Sequence, residues 1–333
     1  MQTSAVAKCG RVGKGADLGL TTCTTSRARH AHANGSAGMT AWARRARARL
    51  CPPCGIAATL VLALACCSFF VTAGLAQIAG QPTANLRSNN VSVDYLEPKD
   101  PKLQAIYERV KGHKVLEEYS GFLSPLRLPV TLRLKTLQCD TDNAFYESTY
   151  WAVHMCYELF EGTVKRAPKT TMPDGTTRGE FIAGDVASTL LHETGHALND
   201  ILNLPVLGRE EDAADQMSAF IMLQFGKDVA RMAIKATYHS WMSLSGGPKS
   251  FWDVHSTGIQ RAQNYLCLGY GADPDTFRDL AMRNALIKDR LPRCAHEYQQ
   301  LRSTFVQTVL PYLDKDLMAK VQARRWLRPE EYE

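Results

Sequence analysis

The feature that most constrains this chain is the stretch His192-Glu193-Thr194-Gly195-His196, which lies inside a long apolar segment. On a helix that turns about 100° per residue, His192 and His196 lie only about 40° apart, so both imidazoles can bind one ion. Glu193 lies to one side of them, within reach of a water molecule on that ion. The spacing therefore predicts a helix carrying one zinc ion, with two histidine ligands and a glutamate base.

The residues around this stretch favour a metal site over a chance arrangement. Apolar side chains cover nearly the whole helical surface: Val186, Ala187, Leu190, Leu191, Ala197, Leu198 and Ile201. Such a helix is predicted to be buried, and buried imidazoles and carboxylates without partners are costly, whereas metal ligation satisfies them. Gly195 weakens a helix by about 1 kcal/mol relative to alanine, so we expect close packing beside it.

A third metal ligand is predicted in residues 208–216, because catalytic zinc takes three protein ligands and leaves one position open. Glu211 and Asp215 are four residues apart and share a helical face. We predict that Glu211 binds the metal and that Asp215 accepts the outer N–H of a ligand histidine. Glu210 and Asp212 are expected to complement the helix dipole, which is also the alternative role for Glu211.

Several segments together resemble a family of bacterial exported proteins known as putative metallopeptidases. The resemblance spans about residues 100–310 and is carried by residues 143–146 (NAFY), 156–159 (CYEL), 192–196 (HETGH), 208–216 (GREEDAADQ), 253–256 (DVHS) and 260–261 (QR). The spacing of Glu211 and Asp215 is similar to that of gluzincins, in which a glutamate on the following helix completes the zinc site. A metzincin pattern is excluded, because Asn199 and Leu202 occupy the positions of its glycine and third histidine.

The same resemblance implies a role for His255, which lies just before a helix predicted to begin near Ser256 or Thr257. His255 would donate a hydrogen bond to the oxyanion of a tetrahedral intermediate. The alternative is that His255 caps or buttresses the next helix. Arg261 and Tyr265 are further candidates for the oxyanion role.

Residues 1–76 are predicted to be a targeting region. Four arginines between Arg44 and Arg49 precede an uncharged apolar run over residues 55–76, which is the pattern of an export signal. Cleavage after Ala76 would leave Gln77 first, whereas an uncleaved run is long enough to anchor the chain in the inner membrane. In both cases the rest of the chain is expected in the periplasm or outside the cell. Met39 is the predicted true start.

The cysteines agree with export. The chain beyond residue 76 keeps four, Cys139, Cys156, Cys267 and Cys294, and an even number in an oxidising compartment predicts two disulfides. Three connectivities are open. The most local one joins Cys139 to Cys156 and Cys267 to Cys294, and the alternative is four reduced cysteines in the core.

The net charge of +6 belongs to the targeting region. Residues 1–76 hold nine of the 39 Lys and Arg residues but one of the 33 Asp and Glu residues, so the remainder has a net charge of about −2. Neither a basic patch nor a phosphate-binding or dinucleotide-binding motif is present, so we expect no nucleic-acid partner. Contact with a membrane is expected only through the N-terminal segment.

Periodicity predicts an α+β domain over residues 99–333, after a flexible linker over 77–98. The order of strands first and helices afterwards resembles the zincin plan. A helix is expected over 103–118, and strands over 130–135, 143–146 and 151–159, which would form a small antiparallel or mixed sheet. Helices follow over 185–202, 210–225, 228–243, 257–268, 274–286 and 293–312. One edge strand, either 143–146 or 151–159, is expected to line the substrate cleft.

These features predict an exported zinc metallopeptidase that acts on peptides or proteins. Glu193 would deprotonate a zinc-bound water and return the proton to the leaving amine. One alternative is a zinc-stabilised envelope binding or maintenance protein without turnover, and another is a hydrolase of a non-peptide amide. Glu193 favours catalysis, because a closed structural zinc site does not need it. The sequence indicates neither cleavage specificity nor oligomeric state.

Overall fold

The computed structural model describes residues 85–245 and 252–332. The predicted targeting region, with the start at Met39 and the apolar run over 55–76, lies outside the described residues. Strands β1 to β4 are Val91–Tyr95, Leu132–Leu137, Ala144–Glu147 and Ala152–Cys156. Helices α1 to α10 are Gln104–Gly112, Val115–Leu123, Tyr157–Arg166, Arg178–Ile201, Glu210–Met222, Lys227–Ser243, Gly258–Ala272, Pro274–Arg283, Leu291–Thr308 and Lys315–Gln322. The α+β class is therefore confirmed.

The four strands form one mixed sheet in the order β1-β2-β4-β3. β1, β2 and β4 are mutually parallel, and β3 runs antiparallel to β4 across a short 3₁₀ turn, Ser148–Tyr150. β1 and β3 are thus the two edges. Within the described residues, no helix is long and apolar enough to cross a bilayer.

β1 lies in the segment 77–98 that was expected to be a flexible linker. Val93 pairs with Leu134 of β2, and the alternate residues Ser92 and Asp94 are exposed. These five residues are therefore part of the folded sheet. The strand has only three apolar positions and follows a polar stretch, so the alternation covers too few residues to identify a strand from sequence.

Two further elements differ from the prediction. The helix expected over 103–118 is interrupted at Lys114, whose left-handed backbone (φ 53°) separates α1 from α2. The strand expected over 151–159 ends at Cys156, and α3 begins at Tyr157. All five residues of β4 are buried, so apolar residues continue into α3 without alternation. A continuous apolar run does not by itself distinguish strand from helix.

Two disulfides stabilise the fold, and both have the local connectivity considered from sequence. Cys139–Cys156 joins the end of β4 to the loop after β2, and Cys267–Cys294 joins α7 to α9. By closing loops in the unfolded chain, each contributes roughly 3 kcal/mol.

Helix α4 is the central element, because it packs against β3 and β4 on one side and against α5 and α6 on another. A capping box between Thr177 and Glu180 begins it. At Gly195 an added Cβ would lie 2.9 Å from the Ala214 Cα of α5, so only glycine permits this approach. The close packing expected at Gly195 is confirmed, and it brings the start of α5 to the histidines of α4.

Candidate metal centre

Three predicted ligands converge where α4 meets the start of α5. The Nε2 atoms of His192 and His196 lie 3.2 Å apart. Glu211 Oε2 lies 3.2 Å from His192 Nε2 and 3.6 Å from His196 Nε2. Among the described residues, the ligand atoms of these three side chains all lie within 4.8 Å of one another. We call His192, His196 and Glu211 the metal group.

The outer nitrogen of each histidine faces a carboxylate. His192 Nδ1 lies 2.9 Å from Asp215 Oδ1, and His196 Nδ1 lies 2.9 Å from Glu210 Oε1. An ionised carboxylate only accepts hydrogen bonds, so each Nδ1 carries a proton. In the neutral imidazoles each Nε2 then presents its lone pair to the other and to Glu211.

This donor set fits a cation. Two neutral imidazole lone pairs and a carboxylate oxygen repel one another at these distances, and the buried Glu211 Oε2 accepts no well-aligned hydrogen bond, although His192 Nε2 and His255 Nε2 lie within 3.2 Å of it. Ligands at about 2.0–2.2 Å from a tetrahedral zinc lie about 3.3 Å apart, close to the observed spacing. Without a metal, burial lowers the pKa of His192, but the carboxylates of Asp215 and Glu211 outweigh it and raise the pKa to about 9. Protons and metal therefore compete for Nε2.

Asp215 lies against His192, as expected from the sequence, and is itself held by α7. Arg261 Nε donates to Asp215 Oδ2 at 2.7 Å, and the Tyr265 hydroxyl donates to Oδ1 at 3.3 Å. The Arg261 guanidinium also stacks on the Trp241 ring at 3.6 Å. Burial alone would raise the pKa of Asp215, but His192 and Arg261 hold it below the usual value. Arg261 and Tyr265 thus contact Asp215 and fix its orientation.

Glu210 has a contact that the sequence analysis missed, because it supports His196 in the way that Asp215 supports His192. Its partner lies 14 residues earlier on another helix, and an acidic helix start gives no sign of such a contact. Asp212 is used differently. It accepts hydrogen bonds from Arg209 Nε at 3.0 Å and Ser256 Oγ at 2.7 Å, which ties α5 to the segment before α7.

Glu193 lies beside the three converging groups and is not one of them. Its side chain is buried and lines the cleft. Burial raises the pKa of Glu193, although His192, His196 and a hydrogen bond from the Tyr146 backbone oppose the shift. A carboxylate whose pKa is raised is a better proton acceptor near neutral pH than an exposed one.

His255 lies at the rim of the cleft with 46 % of its side chain exposed. Its Nε2 is 3.0 Å from Glu211 Oε2, and its Nδ1 is 3.0 Å from Asp253 Oδ1. The cap of α7 is Thr257, whose hydroxyl accepts from the Gln260 backbone. His255 therefore does not cap this helix, and its ring is fixed between a carboxylate and the metal group.

The cleft above the metal group has a volume of about 510 Å³, and β3 forms one wall. β3 is the edge strand, whereas β4 is interior, which decides between the two candidates from the sequence. Tyr146 on β3 donates from its hydroxyl to Asp200 Oδ2 of α4 at 2.7 Å, which fixes the strand to the helix. Among the described residues no strand pairs with the outer edge of β3, whose Tyr146 backbone N–H hydrogen-bonds to Glu193.

A family model described as "Putative metallopeptidase" matches residues 95–309. The chain belongs to this family. The matched segment contains the whole metal group, Glu193, His255 and both disulfides, so the resemblance drawn from the sequence is confirmed. Membership supports a metal-dependent hydrolase of peptides or proteins at the level of class. No curated protein and no solved structure matches the chain.

Proposed function

We propose that this chain is an exported zinc metallopeptidase with a zincin-like fold. The observation that carries the proposal is the convergence of His192, His196 and Glu211 beside a buried glutamate that does not join them. Family membership and the edge strand along the cleft support it. Three protein groups converge, one fewer than structural zinc sites use, which leaves a position for water or substrate.

His192, His196 and Glu211 would hold the zinc, which when bound lowers the pKa of a water molecule and polarises a substrate carbonyl. Glu193 accepts a proton from the attacking water and returns it to the leaving amine. Asp215 and Glu210 keep each histidine proton on Nδ1, so that Nε2 remains free for the metal.

The edge of β3 would hold an extended peptide by main-chain hydrogen bonds, because β3 lines the cleft and is an edge strand of the described sheet. His255 would donate from Nε2 to the oxyanion, and Asp253 at Nδ1 would stabilise the imidazolium that this requires. His255 and β3 both line the cleft.

The test is digestion of a broad peptide library by the purified protein, with metal analysis of the same sample. We expect about one zinc per chain, cleavage that a chelator abolishes, and recovery when zinc is added back. Bound zinc with no cleavage of any peptide would support the binding or maintenance alternative. Cleavage that survives complete metal removal would end the proposal.

Export is tested separately by non-reducing peptide mapping of protein from the cell envelope. The two disulfides, Cys139–Cys156 and Cys267–Cys294, require an oxidising compartment to persist. We expect both linked peptides. Free thiols at all four positions would contradict export and would leave the metal chemistry untouched.

A further inference from the structure

A second cavity lies behind the metal centre, enclosed by α2, α4, α5, α9 and α10. Its volume is about 260 Å³, and it shares no lining residue with the cleft. The floor consists of buried apolar side chains, among them Leu198 of α4, Phe220 of α5 and Val309 after α9. Its opening is therefore distinct from the proposed active site.

The walls of this cavity are fixed by backbone hydrogen bonds. The segment after α9 pairs with the segment after α2: Arg127 N donates to Tyr312 O at 2.7 Å, and Asp314 N donates to Pro125 O at 2.8 Å. The rings of Phe220 and Phe305 pack at 4.3 Å between centroids. These contacts hold the walls of the cavity apart, so the cavity is part of the fold.

The cavity suits an apolar ligand better than water. A water molecule needs two to four polar partners, and apolar cavities of comparable size stay dry and bind hydrocarbon ligands. A ligand tail would restore the dispersion contacts that the lining side chains lack on the cavity side.

The rim is polar and carries a single charge. Arg302 is the only charged residue of the lining, its side chain is exposed, and within the described part of the chain it has no ion-pair or hydrogen-bond partner. The only other polar lining residues, Gln224 and Gln322, are also exposed. An apolar interior with a few polar groups at the mouth is the pattern of a site that orients an amphiphile.

We propose that this cavity binds a single-chain fatty carboxylate, with its tail against Leu198 and Phe220 and its headgroup at Arg302. Arg302 pairs well with a carboxylate through its guanidinium fork. No acidic residue is among the described residues that line the cavity, so a cationic amphiphile would meet only the repulsion of Arg302 there. This binding site is independent of the peptidase chemistry.

The first experiment measures binding of a dansyl-labelled undecanoate to the full chain by fluorescence, followed by displacement. Dodecanoate should displace the probe up to about fivefold better than dodecanol, the difference expected for one exposed ion pair. Dodecyltrimethylammonium should displace it least. No probe binding, or equal displacement by all three, overturns the proposal.

The second experiment fills the cavity. Val306 lines its mouth and is 39 % exposed, so Val306→Trp should reduce probe affinity at least tenfold while the circular dichroism spectrum stays unchanged. Leu286→Trp is the matched control, because Leu286 is 63 % exposed and lies outside the cavity. If Val306→Trp does not fold, Gln322→Trp at the rim makes the same test. If a folded variant with a filled cavity binds the probe with unchanged affinity, the probe binds elsewhere and the proposal is wrong.

The third experiment reverses the charge. Arg302→Glu should abolish the preference for dodecanoate over dodecanol, and Arg293→Glu, an exposed arginine on the same helix but outside the lining, should preserve it. Light scattering tests whether a second copy of this chain occupies the cavity instead. If Val306→Trp converts a dimer to a monomer and the parent binds no probe, the cavity is an interface between copies, and the proposal is wrong.

Discussion

The two faces of α4 differ in the side chains that they bury, polar on one face and apolar on the other. His196 faces the metal cleft, whereas Leu198, two residues later and about 200° around the helix, faces the apolar cavity. On the cleft side, the outer nitrogens of both histidines are paired, and the buried Glu211 oxygen is the group left for a cation. On the cavity side the described lining is apolar except for Arg302, Gln224 and Gln322 at the rim, so the ligand is indicated only by the shape of the cavity and by one arginine. Residue types thus point to the metal cleft, whereas the apolar cavity is recognised only from the packing of the helices that enclose it.

The largest effect is expected on the cleft side, from Glu193→Gln. The substitution removes the proton acceptor but no ligand, so turnover should fall by about 10²–10⁴-fold while about one zinc per chain remains. Peptide cleavage and zinc content, measured on one preparation, test this. Zinc loss from a folded protein would make Glu193 a ligand, and full activity would end the proposed mechanism.

Removal of ligands and of their supports should give a graded loss of zinc affinity. Glu211→Ala should weaken binding more than Asp215→Ala, for which about 10–100-fold is expected of a residue that orients a ligand. Glu210→Ala should have a smaller effect than Asp215→Ala, because Glu210 is largely exposed, and Asp212→Ala should have almost none. Competition with a chromophoric chelator measures the series. If Asp215→Ala alone strips the metal, the assignment of Glu211 is wrong.

His255→Ala should affect the reaction without affecting the metal. Loss of an oxyanion donor lowers kcat by about 10²–10³-fold, and zinc content, Tm and KM should stay nearly constant, because the interaction forms only in the transition state. A large fall in Tm with unchanged kcat in the folded fraction would instead give His255 a purely structural role.

The smallest effect on the metal is expected from Leu198→Ala, on the opposite face of α4. Truncating this buried side chain should destabilise the fold by about 2–3 kcal/mol while zinc affinity changes less than threefold. Urea unfolding and the same chelator competition test both parts. A tenfold loss of zinc affinity would show that the two faces are coupled through the helix, and the contrast drawn above would fail.

Much of the arrangement of the metal group can be predicted from the spacing of its residues along the chain. His192 and His196 share a helical face because any helix places residues four apart together, and the same rule relates Glu211 to Asp215. The sequence left two candidates for the strand edge, 143–146 and 151–159, and the sheet order selected β3. The start of α3 and the strand β1 escaped prediction, because short apolar runs have no distinctive period and tertiary packing assigns them.

By itself the sequence determined the shared helical face of His192 and His196, the α+β order of elements and the even number of cysteines beyond residue 76, all of which depend on residue type and on neighbours along the chain. Only the tertiary structure decided that Glu210 meets His196, that Arg261 and Tyr265 orient Asp215, and that β1 completes the sheet. The second cavity belongs to the same group, since its walls come from five separate helices. Contacts between distant segments depend on packing and loop closure, and no local periodicity records which partners will meet.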